Sequence, residues 1–122
     1  MREMRAISFT DRELTSALVQ FAGRLRRQLP SGTLEDTRID LGPPVRITLP
    51  VRDDYGEVRS ISFEETEVAA ALVQFCMDRK VRLPARGEKV LKIIAGQPTL
   101  VIWLPDVVPP PRKTLQRPVR RP

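Results

Sequence analysis

The chain has 122 residues, 41% of them hydrophobic and 30% charged, a balance that predicts a soluble globular domain rather than a disordered chain. Histidine is absent and cysteine occurs once, as Cys76, which removes the commonest general acid/base, the commonest metal ligand, the usual nucleophile–histidine pairs and any internal disulfide. The net charge of +6 sits mainly at the C-terminal end, where Arg112, Lys113, Arg117, Arg120 and Arg121 follow Pro109 without an acid; the other 16 basic residues face 15 acidic ones. No apolar run of about 18 residues is present to span a membrane, and Met1-Arg2-Glu3-Met4-Arg5 does not begin a secretory leader. With the lone cysteine, this predicts a cytoplasmic protein.

Taken in order, Arg5 to Phe9 reads as a short strand with Ile7 and Phe9 on one face. Thr10 and Glu13 then form a capping box, and Leu14, Ala17, Leu18, Phe21 and Leu25 give a helix an apolar face to about Arg27, short of Leu29-Pro30. Within 31–44, Thr37 to Leu41 alternates like a strand before Gly42-Pro43-Pro44 stops it. Val45, Ile47, Leu49 and Val51 alternate with polar residues and Pro50, a strand that the proline places at a sheet edge. Asp53-Asp54-Tyr55-Gly56 supplies a turn, and Glu57 to Phe63 returns as the hairpin partner.

From there the wording repeats. Ile7-Ser8-Phe9, Glu13 and Ala17-Leu18-Val19-Gln20-Phe21 return 54 positions later as Ile61-Ser62-Phe63, Glu67 and Ala71-Leu72-Val73-Gln74-Phe75. A second helix is expected from about Glu64 to Arg79. Val90, Leu91, Ile93 and Ile94 suggest a third, short helix ended by Gly96. Leu100 to Leu104 is an apolar strand closed by Pro105, matched to Val45 to Leu49 closed by Pro50 at an offset of 55. The proline-rich stretch 109–122 reads as a disordered basic tail.

The expected architecture is therefore one α+β domain over 1–108, made of two strand-helix-strand repeats at about 5–52 and 57–105. Their order, βαββαβ, fits a ferredoxin-like layout with two main helices on one face of a single antiparallel sheet. In that layout the last strand is an edge, yet Leu100 to Leu104 is apolar on both faces, as central strands are.

That conflict motivates the leading functional expectation, a non-enzymatic interaction module that self-associates through Leu100, Ile102, Trp103 and Leu104. The alternative is an anion or nucleic-acid binder that uses the basic run Arg79, Lys80, Arg82, Arg86, Lys89 and Lys92 together with the tail residues Arg112, Lys113, Arg117, Arg120 and Arg121. No catalytic constellation, metal site or cofactor site is expected: the acids Asp53, Asp54, Glu57, Glu64, Glu65 and Glu67 stand where a turn and a helix start use acids. Cys76 reads as a small buried filler, and Gln20 and Gln74 as polar flanks of the helix interface. RNA-recognition chemistry on Arg59 to Phe63 is excluded, because that strand offers a single ring.

Overall fold

The structure, a computed structural model, describes residues 2–104; the expected tail at 109–122 lies outside the described residues. In chain order the elements are β1 (Glu3–Ser8), α1 (Asp11–Arg24), β2 (Thr33–Leu34), β3 (Arg38–Asp40), β4 (Arg46–Arg52), β5 (Val58–Glu64), α2 (Glu65–Asp78), β6 (Glu88–Ile94) and β7 (Gln97–Leu104). The fold is α+β with antiparallel sheets. No helix among the described residues is long and apolar enough to cross a membrane.

Both helices begin and end by the same devices. At the start of α1 the Glu13 amide donates to Thr10 Oγ1 at 3.1 Å and the Thr10 amide donates to Glu13 Oε1 at 2.9 Å, a complete capping box. At α2 the Glu64 amide donates to Glu67 Oε1 at 2.9 Å. Replacing Thr10 by alanine should therefore cost about 1 kcal/mol, read by circular dichroism as a fall in Tm of roughly 4–8 °C. No change in Tm would show that the Thr10 hydroxyl contributes nothing.

At the far ends Arg26 (φ 56°) and Lys80 (φ 59°) turn left-handed, and the next amides, Arg27 and Val81, reach back to the Ala22 and Cys76 carbonyls, each at 2.8 Å. This closing turn satisfies carbonyls that the helix leaves open. It ends α1 at Arg24, three residues before the expected Arg27.

The strands form two sheets where the ferredoxin-like layout has one. The first has the order β1-β7-β6; in the second, β4 pairs with β5 on one side and with β2 and β3 on the other. Two expectations change with this. The segment expected as a third helix is β6, hairpinned to β7: Ala95 (φ 52°) and Gly96 (φ 77°) both take the left-handed conformation that a two-residue hairpin turn demands. Second, β4 is not an edge. The Glu35 amide donates to the Pro50 carbonyl at 2.9 Å, so the proline nitrogen faces the interval between β2 and β3, where the ladder is already interrupted.

The turn between β4 and β5 forms as expected. Asp53 Oδ1 accepts from the Tyr55 and Glu57 amides, both at 2.9 Å, and Gly56 sits at φ 84°. The registers of the two sheets share one local arrangement. Ser8 stands opposite Thr99, and Ser62 opposite Thr48, with the hydroxyls 3.2 and 3.1 Å apart. Thr48 thus holds the ladder place opposite a serine that Thr99 holds 51 positions on, whereas the sequence match sets Val45 to Leu49 against Leu100 to Leu104 at 55.

One core unites the parts. Leu14, Leu18 and Ala22 of α1 meet Val68, Leu72, Phe75 and Cys76 of α2, and both helices close over Ile47, Leu49, Phe63, Leu91, Leu100 and Ile102 from the two sheets. Each of these large side chains contributes roughly 1.5–3 kcal/mol by leaving water. Cys76 is buried among them, and that burial, opposed in part by Arg5, pushes its thiol pKa up.

Candidate interaction surfaces

The residues expected at a self-association edge lie instead in the centre of a sheet. β7 is flanked by β1 along Glu3–Ser8 and by β6 along Glu88–Ile94, which leaves it no free edge and accounts for its apolarity on both faces. Leu100 and Ile102 are fully buried in the core, Leu104 is half-buried beside them, and Trp103 alone of the four is exposed, at 36%.

The basic run is distributed rather than gathered. Arg79 lies against the Phe75 ring, its guanidinium carbon 3.9 Å from the centroid, and Lys80 forms the left-handed closing turn of α2. The Arg82 carbonyl accepts from Arg5 Nη1 at 2.8 Å, and Arg86 is exposed just before β6. Along β6, Lys89 stands opposite Ile102 on the core side and Lys92 opposite Thr99 on the outer side. On a helix these two would share a face; on a strand they point apart. The five tail residues are outside the described residues.

The outer face of the first sheet is read from its registers in three rows: Ser8–Thr99–Lys92, Ala6–Val101–Val90 and Met4–Trp103–Glu88. Met4 is 54% exposed, and the guanidinium carbon of Arg2 lies 4.9 Å from the Trp103 ring centroid. Sequence reasoning passed over Arg2, Met4 and Arg5, since nothing local tells that the first strand lies beside the last. In the second sheet the corresponding face is polar, with Arg52 at the place of Trp103 and Ser60 at the place of Ala6.

The acids serve local structure. Asp53 holds the hairpin turn, Glu65 Oε1 accepts from the Val45 amide at 3.1 Å, and Glu67 pairs with Arg27 at 3.1 Å. Among the described residues no group of three acid or cysteine side chains could hold a metal ion. Gln20 and Gln74 bond within their own helices, to Ser16 at 3.4 Å and Asp78 at 3.1 Å.

Two open clefts among the described residues carry acids. One, of about 520 Å³, is lined by Gln28 to Ser31, Val51, Asp53 and Arg59; the other, of about 480 Å³, runs between α1 and residues 34–37. The acid central to the second is already engaged: Arg52 bonds Glu35 at 2.6 Å and holds its carboxyl below the ordinary carboxylate value. No family model, no curated protein and no solved structure matches this chain.

Proposed function

We propose that this chain is a self-associating interaction module, and that β6 is the strand through which two copies join. The edge-strand idea keeps its physical motive and moves from β7 to its neighbour. An edge strand offers a row of amide and carbonyl groups that a second strand can satisfy. Among the described residues β6 pairs on one side only, with β7.

The observation that carries the reading is the placement of charge on that edge. Glu88 and Lys92 flank Val90 symmetrically, and neither is in an ion pair among the described residues. When two antiparallel copies of β6 pair about Val90, Glu88 of each stands opposite Lys92 of the other, twice per junction. The contact is the same patch on both chains and closes at two copies. The edge of β5 lacks this property: pairing about Ile61 sets Arg59 opposite Phe63 and Val58 opposite Glu64.

Such a junction would repeat between chains what the halves already do within one. β1 of the first half pairs with β7 of the second, and β5 of the second pairs with β4 of the first. Arg24 and Asp78, which are 54 positions apart and so occupy matching places in the two helices, meet in an ion pair at 2.7 Å. Matching positions meet where a twofold relation brings them to its axis, and we read the chain as a duplicated unit whose copies exchange first strands.

Sedimentation velocity over a concentration series tests the junction. Two-chain particles are expected, and Glu88→Lys or Lys92→Glu alone should weaken association by about tenfold through paired like charges. The combined reversal, Glu88→Lys with Lys92→Glu, should restore it. A monomer at every concentration, or a dimer indifferent to each single reversal, overturns the proposal.

A further inference from the structure

The outer face of the β1-β7-β6 sheet lies to one side of the β6 edge and carries its own chemistry. We infer that it binds single-stranded nucleic acid, with Trp103 as the platform on which a base stacks. The inference does not depend on self-association, because one chain contains the whole face.

Three observations converge on this occupant. An indole stands exposed on the middle strand, with Met4 beside it in register, so a flat apolar group can lie on the sheet. Arg2 already rests over the ring at 4.9 Å, which brings a phosphate-binding guanidinium to it. The charge of this half of the molecule is also uneven: Arg2 with β1, β6, β7 and the 81–87 segment carries six basic residues, of which Arg5 and Lys89 stand on the core side of their strands, against Glu3 and Glu88, while the other described residues hold ten basic against twelve acidic.

The second sheet is the internal control. The same fold builds its corresponding face with Arg52 where Trp103 stands and without a ring, so the indole is not demanded by the architecture. Recognition should be tolerant of sequence. Thr99 is buried, and the Ser8 hydroxyl beside it is bonded to it at 3.2 Å, leaving stacking and phosphate contacts as the means of binding.

Trp103 is the only tryptophan, so its emission reports directly on the face. Titrating the full chain with a short oligothymidylate should quench that emission, with affinity falling steeply as salt rises. Trp103→Leu, which keeps apolar cover over Val101, should weaken binding on the order of tenfold by fluorescence anisotropy of the labelled oligonucleotide. Trp103→Phe should retain most of the affinity, and Arg2→Ala should flatten the salt dependence.

Absence of binding at low salt overturns the inference. So does binding that neither quenches Trp103 nor responds to Trp103→Leu, since that leaves only unlocalised attraction to the basic residues. Emission that changes with protein concentration alone, without oligonucleotide, would assign the face to a second copy and also overturn it. Circular dichroism of the leucine and phenylalanine variants separates these outcomes from loss of fold.

Discussion

Replacing Phe63 by alanine should destabilise the protein by about 4 kcal/mol, the largest effect expected of any single substitution considered. The ring is fully buried, and in register it stands opposite Ile47, at the junction of the second sheet with the helices. It also serves as a floor. Arg27 lies 4.7 Å over its centroid and from there donates to the Ser62 carbonyl at 2.8 Å and to Glu67 at 3.1 Å. Alanine thus leaves a cavity and removes the surface that aligns a half-buried guanidinium with both acceptors. Phe63→Leu keeps most of the volume and should cost less than about 1.5 kcal/mol. Urea denaturation checks both, with the midpoint shifting at constant slope; a loss under about 2 kcal/mol for alanine would show that the site collapses around the missing ring.

Gly87→Ala should cost about 2–4 kcal/mol, although it adds a single methyl group. Gly87 has φ 112°, a conformation that side-chain-bearing residues rarely adopt. An added Cβ would also lie 2.6 Å from the Trp103 carbonyl oxygen and 3.3 Å from Ile102 Cγ2. The oxygen belongs to the centre strand of a sheet and cannot withdraw without disturbing the β6–β7 ladder. Gly23 is the comparison: it lies within α1 with nothing inside 4 Å of the same added atom, and Gly23→Ala should stabilise by about 0.5–1 kcal/mol. Thermal unfolding of the pair should move in opposite directions. Equal shifts would count against the close approach at Gly87.

What was legible in the sequence is what neighbouring residues decide. The helices announce themselves through Thr10 and Glu13, through Glu67, and through apolar faces repeated at a fixed offset. The β4–β5 hairpin is written in Asp53 to Gly56. β6 reads as a helix in sequence because Val90, Leu91, Ile93 and Ile94 satisfy a helical spacing as well as a buried strand. The deciding information lay in Ala95 and Gly96, a two-residue turn that resembles a helix stop. The same ambiguity extends to the basic run, since Lys89 and Lys92 share a face only on a helix.

The edge assigned to Leu100–Leu104 failed for another reason. Its second neighbour, β1, comes from the opposite end of the chain, and no local pattern records such a pairing. The apolarity of both faces recorded its result, a central strand, without naming the partner.

The pairing of Glu3 with Leu104 has a consequence for how the molecule comes into being. On the ribosome β1 emerges before every other described element and β7 after them, so Ile7 and Phe9 wait through synthesis of nearly the whole described chain before β7 pairs beside them. The contact closes a loop that contains every other element, while the β4–β5 and β6–β7 hairpins close short ones, and closure entropy favours the short loops first. The strand made earliest is thus the last to find its place. Until then β7 has an unpaired side, an open edge in the nascent protein that β1 later covers.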